Sequence, residues 1–119
     1  MHILVVDDYA DLLKVVRTIL HGEGHQVKTA EDGQQGLHDF RYALGSPFPF
    51  DAVISDWNMP HMNGFEMVSE ILDLDPNVKI VMMSADYSNQ PPERADGRKI
   101  KMFQKPFHPD AMLEELVKP

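Results

Sequence analysis

The chain has 119 residues, of which 43% are hydrophobic and 25% charged, and its formal net charge is −8 at pH 7. This length and composition predict one folded domain spanning residues 1–119. The acidic balance argues against direct nucleic-acid binding, since the largest basic cluster is only Arg98, Lys99 and Lys101. The absence of Cys excludes disulfides and thiolate chemistry, and no apolar run is long enough for membrane insertion. We therefore predict a cytoplasmic protein.

Apolar runs and helical spacings of apolar residues alternate in the first half of the chain. Residues 3–6 form a predicted strand, and apolar residues then recur at helical spacing over 12–20. A more polar strand is predicted at 26–30, and an amphipathic helix follows it over 37–44. Residues 48–50, Phe-Pro-Phe, are predicted as a loop with two exposed or half-buried aromatic rings.

The second half of the chain continues the alternation. An apolar run over 52–54 predicts a strand with Asp56 at its end, and a helix follows from its N-cap Asn63 to Leu74. Strands are then predicted over 78–83 and 100–104, and a last helix begins at Pro109. Residues 86–99 contain almost no apolar side chains, so any helix there, over about 91–96, is predicted to be short or mobile.

Five strands that alternate with helices predict right-handed β-α-β units. We therefore expect a doubly wound α/β domain of the flavodoxin-like kind, with a parallel five-stranded sheet in the order 2-1-3-4-5 and a short or mobile fourth helix.

Polar side chains that could bind a metal or take part in a reaction lie at the carboxyl ends of four of these strands. They are Asp7 and Asp8 after the first strand, Asp56 after the third, Ser84 after the fourth and Lys105 after the fifth. In a sheet of this order these ends converge beside the switch point between strands one and three. Three carboxylates repel one another unless a cation is present, and oxygen ligands without Cys or His indicate Mg²⁺ or Mn²⁺ rather than zinc. The set predicts phosphoryl transfer to or from a carboxylate.

The same set resembles the receiver domains of two-component response regulators, in particular the single-domain chemotaxis regulators. The resemblance runs from Ile3 to about Val117 and rests on these motifs: Asp7-Asp8 after an apolar strand, Asp56 with Asn58-Met59-Pro60 and Gly64, Ser84-Ala85, and Lys105-Pro106-Phe107. It implies a phosphorylation-controlled signalling switch of a two-component phosphorelay, which is not an enzyme but assists its own phosphorylation and dephosphorylation. The implied partners are a histidine kinase or histidine phosphotransfer protein and an output protein of unknown identity.

The resemblance implies roles for the residues around the phosphoacceptor. Asp56 would accept the phosphoryl group in a Mg²⁺-dependent reaction. Asp8 would bind the metal directly, Asp7 chiefly through water, and Asn58 through its backbone carbonyl. Lys105 would pair with a phosphoryl oxygen.

The resemblance also implies a switch. Ser84 would hydrogen-bond a second phosphoryl oxygen, and Phe103 would turn inward, although Phe103 could equally be a permanently buried core residue. Asn58 and Asp86 would border the path of the hydrolytic water; the alternative is that both are solvated loop residues. The peptide bond at 105–106 is expected to be cis.

Two other function classes remain open. A receiver-like interaction domain that is never phosphorylated would keep the fold, although the complete set of acidic, hydroxyl and lysine residues argues against it. A Mg²⁺-dependent phosphohydrolase using Asp56 would generally need a second carboxylate two residues later, where Asn58 stands.

Residues 86–99 also lack the family's usual pattern, so this segment could instead become ordered on a partner.

Overall fold

The fold is built on a parallel five-stranded sheet, seen in a computed structural model that describes residues 1–59, 61–84, 100–104 and 109–117. The elements in chain order are β1 (His2–Val6), α1 (Ala10–Gly22), β2 (Gln26–Ala30), α2 (Gly33–Leu44), β3 (Ala52–Asp56), α3 (Gly64–Leu74), β4 (Lys79–Ser84), β5 (Lys101–Gln104) and α4 (Pro109–Val117). The strand order is β2-β1-β3-β4-β5, which confirms the predicted doubly wound topology.

The register of the strands aligns their carboxyl ends along one edge. Val6 of β1 pairs with Ala30 of β2 and with Ser55 of β3. On the other side, Asp56 pairs with Met83 of β4. The carboxyl ends of β1, β3 and β4 therefore lie at the same edge of the sheet, which is where ligands bind in folds of this kind.

Alternating residues of the strands supply two cores. In β1, Leu4 and Val6 pack with residues of α2 and α3, whereas Ile3 and Val5 pack with residues of α1 and α4. Burial on both faces explains why the central strands read as continuous apolar runs rather than as polar and apolar residues in alternation.

Two helices that start at the carboxyl edge have side-chain caps. Asn63 Oδ1 accepts a hydrogen bond from the amide of Glu66 at 2.9 Å at the start of α3, as predicted. Asp32 Oδ1 accepts one from the amide of Gln35 at 2.8 Å at the start of α2. Each cap satisfies an amide that has no partner within the helix and fixes where the helix begins.

Most predicted boundaries agree with the structure to within one or two residues, but α2 begins at Gly33, four residues before the predicted 37, because Asp32 caps it. A second error concerns the loop before β3. Both aromatic rings of 48–50 were expected to be exposed or half-buried, but Phe50 is only 5% exposed. Its ring stacks on His2 at 4.2 Å and on Phe40 at 6.2 Å between centroids, so the loop folds back over the core. The expected short helix within 86–99 and the peptide at 105–106 lie outside the described residues.

No helix in the described part of the chain is long and apolar enough to cross a membrane.

Candidate functional site

Three aspartates meet at the carboxyl edge of the sheet. Asp7 and Asp8 follow β1, and Asp56 is the last residue of β3. One carboxylate oxygen of each residue lies within 4.8 Å of those of the other two. Asp7 and Asp56 are buried, whereas Asp8 is exposed. The structure thus brings together the three acids that were expected to converge.

Backbone hydrogen bonds fix the position of Asp7. Its amide donates to the carbonyl of Ala30 at 3.1 Å, which extends the pairing of β1 with β2 by one residue. Its Oδ1 accepts a hydrogen bond from the amide of Tyr9 at 3.0 Å. Because this bond orients the side chain before α1 begins, the Asp7 carboxylate is held at the edge of the sheet rather than turned into solvent.

The backbone around Asp56 is held equally closely. The Ser55 hydroxyl, buried within β3, donates to the carbonyl of Asp56 at 2.8 Å. The amide of Trp57 donates to the carbonyl of Met83 at 2.8 Å, and the amide of Gly64 donates to the carbonyl of Trp57 at 2.7 Å. One hydrogen bond therefore closes the turn that follows Asp56, and another joins the start of this turn to β4.

Gly64 makes the closest approach in this turn. A Cβ added at this position would overlap the carbonyl oxygen of Asp56 and would stand 3.0 Å from Ser55 Oγ. Only a residue without a side chain allows the first turn of α3 to pack this tightly on the end of β3. The sequence indicates Gly64 only as part of a turn motif, and it predicts neither this contact nor the hydrogen bond of Ser55.

The remaining candidates occupy different surroundings. Ser84 is buried at the end of β4, one strand away from Asp56, and Asn58 is exposed. Phe103 is half-buried against the core that α1 and α4 share, with Lys101 Nζ 5.6 Å from the centre of its ring. Lys105 and Asp86 lie outside the described residues.

The acidic cluster has the chemistry of a site for a hard divalent cation. Its donors are carboxylate oxygens alone, two of them on buried residues, and like charges this close favour binding of a positive ion. Magnesium commonly takes one or two protein carboxylates and fills its other positions with water and phosphate oxygens. The three residues present fit that requirement.

Comparison with known proteins gives the family. Residues 3–117 match the response regulator receiver domain family. The chemotaxis protein CheY of Thermotoga maritima is 33% identical over 118 residues, which cover 98% of this chain and 94% of that protein. The transcriptional regulatory protein GlrR of Escherichia coli is 32% identical over 116 residues, which cover 97% of this chain but only 25% of GlrR. This chain therefore spans about a quarter of that relative.

The structural comparison agrees. The response regulator TrrA of Thermotoga maritima, solved in complex with Mg²⁺-BeF, superposes with a TM-score of 0.80 at 29% identity, covering 97% of this chain and 95% of TrrA. Because the family match covers nearly the whole chain and the sheet order is the one expected for it, the chain belongs to the response regulator receiver domain family.

Proposed function

We propose that this chain is the phosphorylation-controlled switch of a two-component phosphorelay and that Asp56 accepts the phosphoryl group. The observation that carries the proposal is the buried Asp56 carboxylate at the end of β3, with oxygens of Asp7 and Asp8 within 4.8 Å. Receiver domains are signalling proteins rather than conventional enzymes, and the proposal keeps this chain in that class.

The proposed reaction is a direct displacement at phosphorus. A carboxylate oxygen of Asp56 forms a bond to phosphorus while the bond from phosphorus to the donor nitrogen of a phosphohistidine breaks, and the electron pair leaves with that nitrogen. Asp8 would hold Mg²⁺ or Mn²⁺ directly, Asp7 through water and Asn58 through its carbonyl. A bound Mg²⁺ would offset the negative charge of the carboxylates and of the phosphoryl oxygens. Lys105 would pair with a phosphoryl oxygen.

The proposed switch follows from the added charge. A phosphoryl group brings roughly −1.5 to −2 charges and three acceptor oxygens into a cluster that is already acidic. Ser84, buried one strand away, would donate its hydroxyl to one of these oxygens, and Phe103 would move inward from its half-buried position. Asn58 and Asp86 would flank the water that later hydrolyses the phosphoaspartate.

The proposed partners follow from the same chemistry. A histidine kinase or a histidine phosphotransfer protein would supply the phosphoryl group, and an output protein would recognise the changed surface. The cytoplasmic location stays a prediction, as does the single-domain organisation over residues 1–119.

Intact-mass spectrometry tests the function directly. The protein is incubated with Mg²⁺ and acetyl phosphate, and the same treatment is applied to Asp56→Asn and to Asp73→Asn, an exposed aspartate of α3 that makes the matched control. We expect a gain of one phosphoryl group in the wild type and in Asp73→Asn. We expect no gain in Asp56→Asn or when Mg²⁺ is removed with a chelator.

The other outcomes separate the two alternative functions. If a known receiver is modified under the same conditions and this chain is not, the chain is an interaction domain that is never phosphorylated. If the wild type hydrolyses a phosphate monoester such as p-nitrophenyl phosphate many times over in a reaction that needs Asp56 and Mg²⁺, a phosphohydrolase is indicated. Both results would overturn the switch and leave the family assignment intact.

A further inference from the structure

Ser55 interrupts the apolar run of β3 at a fully buried position. Its partner in β1 is Val6 and its partner in β4 is Met82, and both belong to the core that β1, α2 and α3 share. A hydroxyl in such a row makes fewer apolar contacts than a hydrophobic side chain would, and burying it costs free energy unless it is hydrogen-bonded. Packing of the core alone therefore does not explain a serine at this position.

The Ser55 hydroxyl is bonded to the backbone of the next residue. It donates to the carbonyl of Asp56 at 2.8 Å. The other end of the same peptide unit is also held, because the amide of Trp57 donates to the carbonyl of Met83 at 2.8 Å. A peptide unit is planar, so one hydrogen bond at each end fixes its orientation. The peptide that joins Asp56 to Trp57 is thus held by β4 through its amide and by Ser55 through its carbonyl.

The start of α3 covers this hydrogen bond. A Cβ added at Gly64 would overlap the Asp56 carbonyl oxygen and would stand 3.0 Å from Ser55 Oγ. Ser55 is fully buried and Asp56 is only 6% exposed, so bulk water has little access to the bond. In a variant without the hydroxyl, water cannot simply take its place.

Ser55 acts on the Asp56 side chain only through the backbone. Successive side chains of a strand point to opposite faces of the sheet, so the Ser55 hydroxyl and the Asp56 carboxylate start from different faces. A shift of the held peptide nevertheless moves the Cα atom of Asp56, and the carboxylate moves with it. The distances of at most 4.8 Å that join this carboxylate to those of Asp7 and Asp8 therefore depend on where the peptide is held.

We propose that Ser55 is a positioning residue for phosphorylation, whose hydroxyl holds the peptide after Asp56 so that the carboxylate is aligned with the incoming phosphorus. The proposal rests on the proposed function of the chain. In the displacement, the attacking oxygen must lie in line with the bond that breaks, and a misplacement of about 1 Å costs on the order of a hundredfold in rate. Loss of one hydrogen bond shifts the peptide by less, so the expected effect is roughly tenfold.

Initial rates of phosphorylation test the proposal. They are measured by intact mass with acetyl phosphate at saturating Mg²⁺, for the wild type, Ser55→Ala, Ser55→Cys and Ser55→Thr. Cysteine keeps the volume but donates a hydrogen bond only weakly, whereas threonine keeps the hydroxyl. We expect Ser55→Ala and Ser55→Cys to react roughly tenfold more slowly than the wild type, and Ser55→Thr to stay within about threefold of it.

Amide hydrogen exchange gives a readout that needs no phosphorylation. The amide of Trp57 should exchange about tenfold faster in Ser55→Ala than in the wild type, because its peptide is held at one end only. The amide of Asp7, which donates to the carbonyl of Ala30 at the same edge of the sheet, is the reference. A general loss of stability would speed exchange at both amides, whereas the proposed effect is confined to Trp57.

Ser46→Ala is the matched control. Ser46 Oγ donates to the carbonyl of Ala43 at 2.7 Å, after the end of α2 and before β3 begins, so the variant loses a hydrogen bond of the same kind outside the site. Both alanine variants should lower the melting temperature by a few degrees. Only Ser55→Ala should change the phosphorylation rate and the exchange at Trp57.

Three results would overturn the proposal: an unchanged phosphorylation rate in Ser55→Ala, a rate in Ser55→Cys equal to that of the wild type, and a Ser55→Thr variant as stable as the wild type yet as slow as Ser55→Ala. The second result would mean that Ser55 fills space and that its hydrogen bond is not required. If the wild type accepts a phosphoryl group and Ser55→Ala accepts it equally fast, the role of Ser55 fails alone. If the wild type accepts none, the proposed function fails and the role of Ser55 fails with it.

Discussion

His61 shows at the scale of one residue how closely the turn beside the phosphoacceptor candidate is constrained. Its backbone φ is +69°, a left-handed conformation that no other non-glycine residue takes in the described ranges of the chain. Left-handed backbone costs an L-residue roughly 1–2 kcal/mol. The turn imposes it because the amide of Gly64 must reach the carbonyl of Trp57 at 2.7 Å.

This conformation predicts an unusual order of stability at position 61. His61→Gly should be more stable than His61→Ala by about 1 kcal/mol, since glycine takes a positive φ without strain. The matched position is His38, an exposed residue within α2, where the order should reverse and Ala should exceed Gly by about 1 kcal/mol. Urea unfolding of the four variants, followed by circular dichroism, measures both differences. The same order at the two positions would contradict the left-handed turn.

At the scale of elements, the contact between β3 and α3 connects stability with the site. Ser55, Asp56 and Gly64 form it: the Ser55 hydroxyl donates to the carbonyl of Asp56, and Gly64 packs against both. The amino end of α3 therefore packs directly against the backbone of Asp56, the proposed phosphoacceptor. Any atom added at Gly64 must push either the helix or the strand end away.

Gly64→Ala should lower both stability and phosphorylation. The added methyl group meets backbone rather than a flexible side chain, so we expect a loss of about 1–3 kcal/mol in the free energy of unfolding. The displaced Asp56 should also accept a phosphoryl group more slowly from acetyl phosphate. Gly22→Ala is the control, because a Cβ there meets nothing within 4 Å at the end of α1, and it should add about 0.4–1 kcal/mol. A Gly64→Ala variant as stable as the wild type would show that the contact is looser than described.

At the scale of the whole molecule, the features predicted from the sequence are those that depend on periodicity and on chain direction. Apolar runs and helical spacings predict the strands and helices, and the common direction of parallel strands predicts that Asp7, Asp8 and Asp56 lie together, as they do in the structure. The burial of Phe50 was not predictable in the same way, because it depends on His2, which is distant in sequence. Local pattern determines elements, whereas contacts between distant segments determine which loop residues are buried.

The burial of Asp39 Oδ2 in α2 could not be predicted from the sequence either, because it depends on the folded packing. Asp39 is one acidic residue on an amphipathic helix, and sequence alone places such residues in solvent. In the folded chain, however, its Oδ2 atom is buried. The position of the aspartate cluster therefore follows from the sheet topology, whereas the burial of Asp39 follows from tertiary contacts specific to this sequence.

The acidic character of the molecule and the grouping of three carboxylates predict that Mg²⁺ stabilises the whole fold. A cation that binds only the folded state adds about 2.7 kcal/mol to the free energy of unfolding at one hundred times its Kd. Urea unfolding with and without MgCl₂, at ionic strength matched with KCl, measures this gain. Trp57, the single tryptophan, is half-buried and next to Asp56, so its fluorescence should change over the same range of Mg²⁺ concentration.

Asp8→Asn separates binding at the cluster from general screening of charge. Removing one of three neighbouring carboxylates relieves repulsion, so the metal-free variant should be more stable than the metal-free wild type. The same change removes a proposed ligand, so the gain from Mg²⁺ and the change in Trp57 fluorescence should both shrink. Asp73→Asn, outside the cluster, should keep both effects. If Mg²⁺ stabilises all three proteins equally at matched ionic strength, the ion acts by screening the net charge, and the carboxylates at the ends of β1 and β3 are not its binding site.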